Sequence, residues 1–533
     1  MAAQPRWLRS LLQLLTPTLL LSHIRQEFQL KGCQPAKLHG TSYLDGLRGL
    51  AALAVFGQHY TDYNLKSLQQ WFFTSYYSAS TSSPTSPLQL PYARILYGGP
   101  VTHIFFVVSG FALALRPMGE LHPGEEDEQG GGDPPRSRSR PGRCRCRCRA
   151  MLASAAIRRP VRLWGPCLAL TLPLAFLSRR VGHFRHYIAR EETQWLQVRH
   201  WGRDFFGRVA VWPWAWPGAG AADPLPRPRY NVHLWTVPVE LAHSYLLFFV
   251  VLVLSRLRPR LRVPFVAAVM AGALHGAHWT AFEFLAGCLL AVLHLRQNAG
   301  RRQQQGGPCW RLLAKVVPAT SLLVMGFVAS WPTYMIKAPW PYSTLAQYVP
   351  SATKKREESE FWFALAAASV VWGMGQVAVC RRFLERPLVQ YLGRVSFVFY
   401  IVQHPFLNLF QGRLMGEAPR EAYTDGEGTE YGAEAGHGLK RWPGVHTGTR
   451  LTFTWILGWA ILVPVELLVS DYLTRLIDWP CARAARSIER FICDDTGSCA
   501  NVENDAEKRL RTASGLHRKE DEDGTESRFS LPS

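Results

Sequence analysis

An arginine and a histidine sit eleven residues apart inside an otherwise apolar run, Tyr43-Leu-Asp-Gly-Leu-Arg-Gly-Leu-Ala-Ala-Leu-Ala-Val-Phe-Gly-Gln-His59. On a helix, eleven steps make three full turns plus about 20°, so Arg48 and His59 share a face, about 16 Å apart along the axis. That separation is roughly half a hydrocarbon core of about 30 Å, which puts one group near an interface and the other deep inside. Ionisable side chains are costly at such depth and usually face a polar cavity, so the pair reads as functional. Imidazole exchanges protons near neutral pH and guanidinium holds anions, so the chemistry on offer is proton transfer beside a charged substrate. The competing reading is a histidine bonded to a neighbouring helix.

Further chemistry-bearing residues follow at intervals. Phe105-Phe-Val-Val-Ser-Gly-Phe111 carries Ser109, either an acyl acceptor or, with Gly110, a small pair for close helix approach. Ile157-Arg-Arg-Pro-Val-Arg-Leu-Trp164 carries three arginines, with Pro160 suited to a helix's first turn. Arg158, Arg159 and Arg162 thus form a basic collar at the mouth of a span and a phosphate site, against the plainer reading of positive-inside anchoring. His233-Leu-Trp-Thr-Val-Pro-Val-Glu240 adds an intramembrane carboxylate at the opposite end of its span from the collar. Asp45 pairs with Arg48 or caps the helix start. His404 lines the interior or packs there, and Glu283 and Glu466 have no assignment.

The elements that must position these residues are apolar runs separated by Arg-rich or Gly-rich segments. Averages conceal them: hydrophobic residues are 48% of the 533. About ten transmembrane helices are expected, near 44–61, 95–115, 160–177, 233–254, 263–279, 280–295, 312–330, 361–380, 393–410 and 451–476, giving an all-α polytopic membrane bundle. Lys and Arg total 60 against 39 Asp and Glu, a net charge of +21. The basic residues crowd the ends of apolar runs, as cytoplasmic loops do, and no nucleic-acid module is present, so nucleic acid is excluded as a partner. The 11 cysteines lack paired Cys-x-x-Cys spacing, which indicates neither a metal site nor a disulfide framework. Three regions result: an N-terminal cytoplasmic or interfacial segment 1–41, a membrane domain 42–478 with a disordered loop 117–150, and a disordered tail 479–533. Within the first, residues 7–21 suit an interfacial helix, with a secretory signal as the alternative. The arginine-rich loops fall on one side if the N-terminus is cytoplasmic.

The Asp-Gly-Leu-Arg-Gly start with its R-x10-H spacing, the FFxxSGF segment, the arginine collar, Trp-Thr-x-x-x-Glu, and Leu392-Gly-Arg-Val-Ser-Phe-Val-Phe-Tyr-Ile-Val-Gln-His404-Pro occur in one order over about residues 42 to 476. In that order they resemble the acyltransferase 3 family, most closely its fungal members. The resemblance implies an integral membrane enzyme moving an acyl group, commonly acetyl from acetyl-CoA, onto a hydroxyl of a carbohydrate, lipid or small metabolite. No cofactor is then bound. The acyl-CoA donor, the hydroxyl-bearing acceptor and the lipid bilayer are the partners. By the same resemblance His59 is the general base, Arg48 holds the donor, and Arg158, Arg159 and Arg162, with Ser109, form the donor-binding set. Glu240 meets the acceptor hydroxyl or orients His59. Some bacterial members carry an esterase-like domain, for which no Gly-x-Ser-x-Gly signal is present here.

A multi-pass protein of an endomembrane or the plasma membrane is the expected setting. The alternative function is a transporter of a small anionic or acylated metabolite, which also needs charge at mid-membrane. Its inverted repeats are not evident in the sequence.

Overall fold

The computed structural model describes residues 39–64, 68, 86–121, 145–180, 188, 190–211, 227–297, 312–332, 338–350, 358–410 and 451–493, with only the backbone of some flanking turns. The segment 7–21 and the chain beyond 493 lie outside the described residues. A helix overlaps each of the ten apolar segments. The helices used below are α1 (Ser42–Asn64), α2 (Val101–Glu120), α3 (Pro141–Arg180), α4 (Gln194–Asp204), α5 (Thr236–Leu254), α6 (Pro259–His275), α7 (Trp279–Gly300), α8 (Pro308–Val328), α9 (Glu358–Gln376), α10 (Ala378–Leu384), α11 (Pro387–Met415), α12 (Gly448–Leu473) and α13 (Trp479–Ile492). Of these, α4 is an interspan helix. A strand pair of two residues each, Tyr423–Thr424 against Glu430–Tyr431, lies between α11 and α12.

Five helical stretches among the described residues are long and apolar enough to cross a membrane: Val101–Glu120, Arg145–Arg180, Val232–Leu254, Trp279–Gln297 and Leu451–Ile492. The bent pair α9 and α10, at 93°, makes a sixth if it counts as one span. Helices α1 and α11, of 23 and 29 residues, are absent from that set. They carry Asp45, Arg48, His59 and Asp62, and Arg394, Gln403 and His404, so the residues that give them chemistry lower their hydropathy.

Close approach at glycines sets how the helices lie. A side chain on Gly49 would strike the backbone at Leu392 and Gly393, and one on Gly393 would strike Asp45. The Phe56 and Phe399 rings meet 5.8 Å apart further along. Residue numbers rise together on both helices, so α1 and α11 run parallel. Helices α2 and α7 likewise approach closely, through Gly110 against Phe284 and Gly287 against Val107. Small residues allow such approach where lipid supplies no hydrophobic drive between helices.

Two expected boundaries move. Pro160 was read as the first turn of a span, yet it lies inside α3, whose described part begins at Arg145. A proline in a helix interior removes the donor for the carbonyl four residues earlier. That carbonyl, on Ala156, accepts instead from the Tyr245 hydroxyl of α5 at 2.9 Å, so the helix continues. The ends of the expected loop 117–150 are accordingly helical. The expected tail from 479 also begins with order. Helix α13 buries Ala485, sets Cys481 against Gly165 of α3, and pairs Glu489 with Arg158 at 3.2 Å.

Candidate active site

Three histidines distant in sequence meet inside the bundle. His59 comes from the last third of α1, His233 from the 3₁₀ turn Val232–Trp235 that leads into α5, and His404 from α11. The His59 and His233 rings lie stacked, centroids 3.5 Å apart with 19° between planes. His404 meets His233 edge-on at 4.8 Å. His233 and His404 are buried, whereas the His59 side chain keeps 24% of its surface exposed.

The turn that holds His233 is fixed by a helix defect elsewhere. Pro405 lies inside α11 and, having no N–H, leaves the carbonyl of Ile401 without its helical donor. The Asn231 amide supplies that donor at 2.7 Å, while its oxygen accepts the His233 N–H at 3.3 Å. The Tyr400 hydroxyl donates to the His233 carbonyl at 2.5 Å and lies 2.8 Å from the Thr236 hydroxyl. One residue thus caps the turn and ties it to α11. His404 is in turn 3.3 Å from Asn408, one helical turn on.

Arg48 lies about 16 Å down the same face of α1 by helical rise. Its Nε donates to the Ser396 hydroxyl at 3.0 Å and its Nη2 to the Gly393 carbonyl at 2.8 Å, with Asp45 at 3.3 Å. Its side chain is 40% exposed, so the guanidinium is held to α11 and still open on one side. Asp478, half-buried, lies within electrostatic reach of both Arg162 and Arg48. The exposed Arg162 and the partly open Arg48 thus both lie near Asp478.

The collar itself divides. Arg158 points outward to Glu489 and the Ser154 carbonyl. Arg159 points inward, its Nη2 at 2.6 Å from Glu240 and its Nε donating to Ser244 at 2.8 Å. Ser109 donates to the same Glu240 oxygen at 2.9 Å. Ser109, Arg159 and Glu240 are thus brought together, and Glu240 is not at the far end of its span from the collar. The reason is the continuous α3, which carries Arg159 past the expected mouth and alongside α5.

A further constellation escaped sequence reading. His103 of α2 bridges two carboxylates, Glu283 of α7 at 2.6 Å and Glu360 of α9 at 3.4 Å. Its only sequence signal is a histidine two positions before the Phe105 motif, opposite a glutamate already noted in an apolar run. Among the described residues no group of three or more His, Cys, Asp or Glu side chains has the geometry to hold a metal ion. Of the three site histidines, His59 and His233 meet face to face, while His404 meets His233 edge-on.

Known proteins resemble this chain over most of its length. The chain is 25% identical over 415 residues to the O-acetyltransferase PaAT-1 of Phomopsis amygdali, covering 73% of this chain and 76% of that one. It is 22% identical to acyltransferase R4 of a Phoma species, over 69% of this chain and 83% of the relative. It is 24% identical to acyltransferase clz18 of Cochliobolus lunatus, over 68% and 81%. No solved structure matches. The acyltransferase domain model matches residues 41–475, a range that takes in the histidine cluster, Arg48, the collar and Glu240, and the chain belongs to that family of acyltransferases.

Proposed function

We propose that the protein is a multi-pass O-acyltransferase of an endomembrane or the plasma membrane, transferring an acyl group from acyl-CoA to a hydroxyl of a carbohydrate, lipid or small metabolite. The observation that carries this reading is His59, set among buried rings on the same helix face as a partly open Arg48. An alcohol is a poor nucleophile until its proton is removed, and a neutral imidazole within reach removes it. His59 takes the hydroxyl proton as the oxygen attacks the thioester carbonyl. The carbon–sulfur bond breaks, and the departing thiolate takes the proton back from His59, so the step balances without another reactant.

Arg48 and Arg162, converging near Asp478, suit the phosphates of CoA, since guanidinium matches phosphate geometry. The rise from Arg48 to His59, about 16 Å, is of the order of a pantetheine arm. Arg159 and Glu240 are assigned together as the polar wall between them. Direct transfer is preferred to an acyl-serine, because Glu240 already holds a guanidinium and is a poor proton acceptor for Ser109. Acetyl is the first acyl group to try, in keeping with the name of one relative.

The test is acetyl-CoA consumption by membranes containing wild type or His59→Ala, with metabolite extracts as acceptors and mass spectrometry following an acetyl mass gain. Transfer by wild type that disappears in a normally inserted His59→Ala supports the reading, and the product identifies the acceptor. Full activity in His59→Ala would sink it.

A further inference from the structure

We infer that Asp62 and His233 are positioning residues for His59, Asp62 selecting its tautomer and His233 the plane of its ring. The inference rests on the acyl-transfer reading of His59 and goes beyond it by naming what prepares the base.

Asp62 lies one helical turn beyond His59 on α1, with its Oδ2 3.8 Å from Nδ1. Its place is otherwise unfavourable. A carboxylate in the last turn of a helix opposes the macrodipole, and α1 has no basic residue in that turn to offset it. What the position does provide is a carboxylate 3.8 Å from Nδ1, longer than a hydrogen bond but within the range from which catalytic pairs tighten when substrate binds. A proton kept on Nδ1 leaves the Nε2 lone pair free for the acceptor hydroxyl, the division of labour in histidine bases oriented by a carboxylate. The two side chains are 24% and 27% exposed, so the pair is not sealed in the packing.

His233 acts on a different degree of freedom. With ring faces 3.5 Å apart, rotation of His59 about its Cβ–Cγ bond would drive its edge into the neighbouring ring. The neighbour cannot yield easily. Its backbone is held by Asn231 and Tyr400, and His404 closes its other side at 4.8 Å. Among the described residues Nδ1 of His233 has no hydrogen-bond partner, so the ring's role here depends on its flat face. A flat apolar ring should therefore do much of the same work.

The experiment measures kcat and donor KM with acetyl-CoA for wild type, Asp62→Ala, His233→Phe, His233→Ala and His59→Ala, each normalised to folded protein by gel filtration. A positioning role predicts that Asp62→Ala loses about 10- to 100-fold in kcat with donor KM nearly unchanged, less than removal of the base itself. It predicts about 10-fold loss in His233→Ala, and His233→Phe within about threefold of wild type, because tilt of the base affects the transition state rather than donor binding. His233→Phe as inactive as His233→Ala would overturn the steric role, and unchanged kcat in Asp62→Ala would overturn the tautomer role. If His59→Ala keeps its activity, the catalytic reading and this inference fall together. If His59→Ala is inactive while the other variants match wild type, only this inference falls.

Discussion

The histidine cluster and the Arg159–Glu240 network are both polar groups inside one helical bundle, and they are held in opposite ways. Around Glu240 the polar atoms answer one another: Arg159 at 2.6 Å, Ser109 at 2.9 Å, and Ser244 accepting from the guanidinium Nε. Around His59 the close contact is ring on ring, with a carboxylate only at 3.8 Å. A charge-paired, hydrogen-bonded network fixes helices against each other. A ring packed on its face but open at its edge keeps a nitrogen free for chemistry. On the proposed reading of His59, the difference separates what holds α2, α3 and α5 together from what can react.

The sharpest way to break this contrast is to remove the base. His59→Ala should lower acyl transfer by about 10²- to 10⁴-fold, the usual contribution of a general base, while its melting temperature in detergent stays close to wild type. A comparable loss of folded protein would mean that the cluster is as structural as its counterpart. Removing one side of the network should act the other way. Arg159→Ala leaves Glu240 as a half-buried charge without its guanidinium and should cost on the order of 3 kcal/mol of stability. The pair Arg159→Met with Glu240→Gln should recover part of that loss, since neither charge is then stranded. Thermal unfolding of Arg159→Ala, of the singles Arg159→Met and Glu240→Gln, and of the double variant checks this, and additive losses would refute it.

An intermediate effect should come from Asn231, which belongs to the scaffold yet serves the cluster. Asn231→Ala takes the donor from the Ile401 carbonyl that Pro405 leaves open, at a cost of about 1–3 kcal/mol for an unsatisfied buried acceptor. It also frees the turn carrying His233, so kcat should fall along with stability. Unchanged kcat would mean that Tyr400 alone holds the turn.

Much of this arrangement is legible in sequence wherever one helix carries both residues. The shared face of Arg48 and His59 follows from their spacing, and the order of apolar runs reproduces the order of helices. Contacts between helices are not legible in that way. Pro160 looks like a helix start because the donor that rescues the Ala156 carbonyl comes from Tyr245, 89 residues later. Once α3 is continuous, Arg159 must meet α5, and Glu240 acquires a partner that its position in its own span gave no reason to expect. His233 is visible as a residue in a motif, but its stacking depends on Asn231 reaching across to a carbonyl exposed by Pro405. The expected tail hid α13 because a short basic amphipathic stretch reads equally well with or without a surface to bury Ala485.

The smallest effect belongs to the outer half of the collar, and it tests whether depth is what distinguishes the two neighbouring arginines. Arg158 and Arg159 are adjacent in sequence, but the Arg158 side chain is 36% exposed against 18% for Arg159, and its partner Glu489 sits on α13 at the bundle's edge. An ion pair this open to solvent gains little, because water screens the attraction and both long side chains lose freedom in making it. Glu489→Gln should therefore cost less than about 1 kcal/mol and leave transfer unchanged. Raising the salt concentration should diminish even that difference, whereas the loss in Arg159→Ala should persist, since salt screens buried pairs far less than exposed ones. Equal salt sensitivity of the two variants would mean that Arg159 is more open to solvent than its contacts with Glu240 and Ser244 require.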